Sequence, residues 1–397
     1  MTAPAVVIGL DTIVGLQAAR VLDGRGVPVI GIAADPTHYC TRTRSVRRVL
    51  AGPTAGSALI AQLTSLAGEL DEPPVLVPCR DPSVFTISEH RDLLAPARIL
   101  LPDHRVVRSL SDKATFAEVA ASLGLPTPRT WVVEGPATME AAAADACYPV
   151  VLKPAFRDDA WQDDGMEKGY YVDDAAALRA AFDLASPIAA RFVVQEWVPG
   201  PHTAQYTCNA LFAADGSLRA TFVSQKVRQW PPGVGVGSMG IAVREDEVEA
   251  LTVQLFGSVG FRGLAYLEVK RDERDGCLVI IEPNVGRPTG RSALADRCGV
   301  SLLYGMYREA LGEPLESYGV QQPTRRAWVH LRSDLQAGMR EWRHGQTTLG
   351  TWLGSYRRPL VDAVASLSDP GPLLADLARS ARKAWRSARP RVSGRGR

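Results

Sequence analysis

The stretch Leu264-Ala-Tyr-Leu-Glu268-Val-Lys-Arg271, Asp272-Glu-Arg-Asp-Gly276, Cys277-Leu-Val-Ile-Ile-Glu282-Pro-Asn284 decides how the chain is read. Two apolar, β-branched runs flank a polar turn that ends in glycine, the pattern of an antiparallel hairpin. Glu268 and Glu282 are equidistant from Asp275 in that turn. A regular register therefore sets them opposite one another, with β-carbons about 5 Å apart. Two carboxylates that close repel, so a cation is expected between them. Asn284, two residues beyond Glu282, shares its face. Two carboxylates and an amide oxygen form a hard-oxygen donor set suited to Mg²⁺ that bridges nucleotide phosphates. The apolar run before Glu282 favours burial of the pair over exposure.

Working outward, two lysines precede this hairpin. Lys153 ends the strand Val150-Val-Leu-Lys153, an apolar setting in which an ammonium needs an anion beside it. Lys113 opens a helix capped by Ser111 or Asp112 and stopped at Gly124 and Pro126. A cation in a first helical turn is disfavoured by the helix dipole unless a phosphate-like anion sits nearby. Between the lysines and the hairpin lies Val193-Val-Gln-Glu196-Trp197-Val198-Pro-Gly200. A strand running into a Pro-Gly turn leaves backbone N–H and C=O groups free to read an adenine edge.

At the start of the chain, Ala5–Leu10, Leu16–Asp23 and Val27–Ala33 alternate as strand, helix, strand, which favours a parallel, doubly wound sheet. The loop Gly9-Leu-Asp-Thr-Ile-Val-Gly15 is not GxGxxG, and its glycines serve a tight turn and close helix packing instead. A further helix over Ser57–Leu70 and a strand over Val75–Pro78 complete this unit. Strands are expected at Trp131–Val133, Tyr148–Lys153, Tyr170–Val172 and Phe192–Glu196, and a hairpin over Thr207–Gln225 around Asp215-Gly216. From Glu313 the chain is Pro- and Arg-rich, with short helical pieces.

The ordered series Ser111-Asp-Lys113, Leu152-Lys153-Pro, Gln195-Glu196-Trp-Val-Pro-Gly200, Glu268 and Glu282-Pro-Asn284 resembles the ATP-grasp superfamily, over residues 5 to 312. Within it the chain looks most similar to carboxylate–amine ligases, the D-aspartate ligase-like and carbamoyl-phosphate-synthase-like branches included. The resemblance implies an α/β fold, α+β in the catalytic part. A Rossmann-like pre-ATP-grasp domain would occupy residues 1–105, a small ATP-grasp lobe 106–190 and a catalytic lobe 191–315. A C-terminal extension with a basic tail would follow over 316–397. It implies ATP and one or two Mg²⁺ ions, with Mn²⁺ as a possible substitute. Lys113 and Lys153 would contact the nucleotide phosphates. Glu196 and Val198 would hold adenine through their backbone beside Trp197, and His202 would stand near the ribose. Glu268, Glu282 and Asn284 would bind the metal. Arg228 and Arg287 would steady the transferred phosphate. The sequence departs from the family pattern in two places. Residues 155–169, where the phosphate-covering loop belongs, are poor in Gly and Ser, leaving Arg157 or Lys168 to reach in. Val285-Gly286 separate Asn284 from Arg287, which makes Arg291 a rival for its role.

The implied reaction activates a carboxylate as an acyl phosphate and passes it to an amine, releasing ADP and phosphate. Small amino-acid-like substrates are implied, with a pocket that Trp161, Trp230, Gly233–Gly237 and Arg291 would line. The alternatives are a kinase or carboxylase that uses the same nucleotide site, and a non-catalytic ATP-binding regulator. The absence of a biotin or carrier domain weighs against a carboxylase. No apolar run reaches the ~20 residues needed to cross a bilayer, and Met1–Ile8 lacks a signal-peptide pattern, which favours the cytoplasm. The six cysteines are scattered without a CxxC pair, so neither disulfides nor zinc are expected. From Arg379 onward there are eight basic residues and no acidic ones, while the rest of the chain has 37 basic and 43 acidic residues. Nucleic acid is not an expected partner, and a homodimer stays open.

Overall fold

The computed structural model describes residues 2–157, 161, 165–232 and 235–388. Much of the 155–169 loop, Gly233 and the basic tail from Arg389 lie outside them. The first unit is a parallel sheet of β1 Ala5–Ile8, β2 Val29–Ala33, β3 Arg48–Ala51 and β4 Val75–Pro78, in the order β3-β2-β1-β4. Its two central strands are buried throughout, as apolar runs covered by helices on both faces should be. β1 stops at Ile8 because Gly9 takes a positive φ of 95° and turns the chain into the helix Ile13–Asp23. At Gly15 a β-carbon would collide with the Gly9 carbonyl, so the loop and helix pack closely, as the sequence predicts.

The second unit is an antiparallel sheet of β5 Thr130–Val133, β6 Val150–Pro154, β7 Tyr170–Val172 and β8 Phe192–Glu196, ordered β5-β8-β6-β7. It carries its own core of Val133, Met139, Leu152, Phe182, Phe192 and Trp161. Trp161, expected to line a pocket, is instead buried there, and its Nε1 donates to the Glu167 carbonyl at 3.0 Å. β8 pairs with both β5 and β6, so it belongs to this sheet although it lies past residue 190.

The third unit is a seven-stranded sheet. It contains β9 Gln205–Phe212, β10 Leu218–Trp230, β11 Val236–Ala242, β12 Gly263–Arg271 and β13 Leu278–Val285. The region beyond residue 315 is more than a helical extension. It contributes β14 Ala327–Val329 and β15 Leu360–Asp362, giving the order β13-β12-β9-β10-β11-β14-β15. The C-terminal segment also grips the first unit: Gln17 Nε2 donates to the Ala363 carbonyl at 2.7 Å, and Arg20 pairs with Asp369 at 2.9 Å. No described helix is long and apolar enough to cross a membrane.

Candidate active site

Glu268 on β12 stands opposite Glu282 on β13, as the spacing predicts. The register is not regular, however. Nearer the turn, Val269 pairs with Ile280 and Lys270 with Val279, and a bulge leaves Ile281 without a partner. Had the turn-side register continued, Glu282 would oppose Leu267, on the face away from Glu268. The extra residue at Ile281 therefore brings the two carboxylates together. Gln205 Nε2 donates to Glu268 Oε2 at 2.5 Å. Burial pushes the Glu268 carboxyl pKa up, and repulsion from Glu282 adds to the rise.

Four cations surround the pair. The helix Lys113–Ser122 is capped by the Asp112 carboxylate, which accepts from Thr115 N–H at 2.9 Å. The Lys113 N–H reaches the Ala155 carbonyl at 2.8 Å, which ties this helix to the end of β6. Lys153 donates to Gln195 Oε1 at 3.0 Å. Burial pulls both ammonium pKa values down, and the charge of Glu282 opposes that in each case. Lys113, Lys153, Gln195 and Glu282 line one cleft. On the other flank, Lys226 and Arg291 face Glu268. Arg291 Nη1 donates to Thr207 Oγ1 at 2.8 Å, and its Nε is buried without a partner among the described residues. A β-carbon at Gly237 or Gly240 would press on the Arg291 guanidinium, so those glycines make room for it.

The remaining predicted residues are distributed unevenly. Arg287 is beside the site: it donates to Asn284 Oδ1 at 3.0 Å, is bound to Asp81, and lies over the Tyr266 ring. Arg228 does not reach the site. A bulge at Val227 flips it to the opposite face of β10 from Lys226, where it is buried against Asp334 at 2.7 and 2.9 Å. Its expected phosphate contact is therefore corrected to a buried ion pair. At the end of β8, the Glu196 N–H donates to the Arg129 carbonyl and the Trp197 N–H to that of Pro149. The Glu196 carboxylate pairs with Arg274 at 2.6 Å, and the Val198 carbonyl accepts from Lys270 at 2.8 Å. Trp197 packs edge-on against Tyr171 and beneath the Lys270 ammonium. His202 Nε2 lies 2.9 Å from the Val227 carbonyl and 3.4 Å from Glu341, so its ring faces β10 and the helix Leu331–Arg343.

Sequence reasoning passed over Lys226, Gln205 and Thr207. The available signal was a polar residue at every second position of an otherwise apolar strand, Gln205-x-Thr207-x-Asn209, which aims polar groups to one face. Thr207 and Asn209 are both buried.

The donor set fits a hard divalent cation. Glu268 and Glu282 face each other at a mutual electrostatic cost that such an ion removes. Asn284 Oδ1 accepts one bond, from Arg287, and retains a second lone pair, while its buried Nδ2 has no partner among the described residues. Among the described residues no group of three or more His, Cys, Asp or Glu offers a richer site.

No model of a known protein family matches the chain. It is 30% identical over 177 residues to a D-alanine–D-alanine ligase of Ectopseudomonas mendocina, covering 41% of this chain and 51% of that one. It is 25% identical over 234 residues to a D-aspartate ligase of Enterococcus faecium, covering 55% of this chain and 54% of that one. The chain thus spans about half the length of the curated relatives it matches. The solved structure of an N5-carboxyaminoimidazole ribonucleotide synthetase with ADP superposes with a TM-score of 0.65 at 16% identity, over 87% of this chain and 85% of that one. The biotin carboxylase domain of Hydrogenobacter thermophilus 2-oxoglutarate carboxylase, solved with ADP and magnesium, gives 0.62 at 16% identity, over 79% and 70%. In sequence the chain is thus similar to carboxylate–amine ligases, and in fold to ADP-binding synthetase and carboxylase structures, in keeping with the ATP-grasp resemblance read from its motifs.

Proposed function

We propose that the chain is an ATP-dependent ligase that activates a carboxylate as an acyl phosphate and condenses it with an amine, releasing ADP and phosphate. The observation that carries this reading is the facing pair Glu268 and Glu282, with Lys113 and Lys153 on one side and Lys226 and Arg291 on the other. Lys113 and Lys153 hold the nucleotide phosphates, and the turn at Glu196–Val198 holds the base beside Trp197, with His202 toward the ribose. Glu268, Glu282 and Asn284 would hold one or two Mg²⁺ ions, which would supply charge neutralisation to the phosphates. The substrate carboxylate attacks the γ-phosphorus, and the bond from it to the bridging oxygen breaks as ADP leaves. Arg291, with Lys226, stabilises charge on the transferring group, and Arg287 holds the Asn284 end of the site. The amine then attacks the acyl carbon, a proton is lost from nitrogen, and phosphate departs. The cleft between the small sheet and the hairpin keeps water from the acyl phosphate.

The substrates we infer are small amino-acid-like molecules of the cytoplasm, and the functional units follow the ranges 1–105, 106–190, 191–315 and 316–397, with β8 joining the second and β14 and β15 the third. The test is ADP release across pairs of amino acids, with the condensed product detected by mass. Amine-dependent ADP release with an amide product supports the ligase. A phosphorylated or carboxylated product formed without amine overturns it.

A further inference from the structure

Over residues 371–382 the C-terminal helix Gly371–Ala388 rests on the body by one side. Pro372 and Asp376 are buried, and Asp376 accepts from Arg332 at 3.0 Å. The other side faces water. Leu374 is 61% exposed and Leu377 56% exposed, and Ala378 and Ala381 are exposed with them. The spacing 374, 377, 378, 381 draws one apolar stripe along the helix, and in the sequence Trp385 comes at the next step of that spacing. Arg379 and Arg382, both exposed, flank the stripe. The helix Leu331–Arg343, joined through the Arg332–Asp376 pair, repeats the arrangement with Leu331, Leu335, Met339 and Trp342 exposed.

Charge selects what covers this face. From Arg379 onward the sequence has eight basic residues and no acidic one, whereas the remainder of the chain is net acidic. An anionic surface attracts this end and repels the rest. The apolar stripe selects lipid over nucleic acid, because phosphate contacts alone give exposed leucines nothing to bury. We propose that this helix docks the protein on an anionic lipid surface, lying in the interface with Leu374 and Leu377 inserted among the acyl chains and Arg379 and Arg382 at the headgroups. The proposal stands independently of the ligase reading.

The test is co-sedimentation of the full chain with vesicles of phosphatidylcholine, with and without phosphatidylglycerol. The expected result is binding to the phosphatidylglycerol vesicles only, weakened by salt. Leu374→Glu with Leu377→Glu should weaken it at least about tenfold, and Arg379→Gln with Arg382→Gln on the order of tenfold or more. Both variants should keep the wild-type melting temperature, because all four side chains are exposed. Failure to bind the phosphatidylglycerol vesicles, or binding indifferent to the leucine pair, overturns the proposal. So does self-association through the leucines without vesicle binding, or capture of single-stranded RNA in preference to vesicles.

Discussion

Two buried charge clusters lie on opposite faces of β10, and they are built in contrary ways. At Arg228 every charge is answered from within. The guanidinium holds both oxygens of Asp334, and Ser238, Tyr356 and Ser355 satisfy what remains. On the Lys226 face the charges are gathered but not settled. Two carboxylates face each other, while Arg291 Nε and Asn284 Nδ2 are buried without partners among the described residues. Satisfied burial of charge is what a structural ion pair needs, whereas an unsettled cluster needs a ligand to complete it. The comparison separates two arginines that the sequence offered for the same task.

Removing Asp334 breaks the settled cluster. Asp334→Ala should lower stability by about 3–5 kcal/mol, because it strands a buried guanidinium. Pairing it with Arg228→Met should recover most of that loss. Urea unfolding of the single and double variants checks this, and equal midpoints for wild type and Asp334→Ala would contradict it. Glu282→Gln should do the reverse, leaving the melting temperature near wild type and lowering ATP-dependent turnover about 10²–10³-fold. A large fall in stability with turnover intact would mean that the two clusters have been assigned the wrong way round.

The two halves of this comparison were unequally legible. The carboxylate hairpin can be read because Glu282 comes only fourteen positions after Glu268 across one short turn, so the pairing is a local matter. Its success still depends on the bulge at Ile281, which no residue in the sequence announces. The Arg228 site is invisible from sequence for two reasons. A bulge at Val227 cancels the alternation that would keep it beside Lys226, and its partner Asp334 lies 106 residues away. The same distance problem hides β14 and β15, whose three residues each find their place only through the sheet they extend.

Arg291 and Arg287 sharpen the contrast within the unsettled cluster. Arg291→Lys keeps the charge and loses the planar fork, and should lower kcat about tenfold or more with a smaller change in KM for ATP. Arg287→Lys should act more weakly on kcat, because Arg287 also serves Asp81. Steady-state kinetics of both variants settle the ranking, and a larger loss at Arg287 would reverse it.

The smallest effect is one of pH. Burial pulls the Lys226 ammonium from its ordinary 10.5 down to about 8, against the pull of Glu268. Between those values the unfolded chain holds a proton that the folded chain has lost, so stability should rise with pH across that window. Lys226→Met should flatten the rise, measured as the urea midpoint against pH. Nucleotide affinity should fall as pH passes upward through about 8 and Lys226 loses its charge. An affinity that holds steady there would remove Lys226 from the phosphate site.

The most direct measurement is calorimetric titration of ATP into the wild-type chain and into Glu268→Gln with Glu282→Gln, each with and without Mg²⁺. Metal-dependent binding by the wild type, reduced in the variant to what each shows without metal, is the predicted result. Identical isotherms for the two proteins in Mg²⁺ would contradict the assignment of the facing carboxylates to a nucleotide-bound metal.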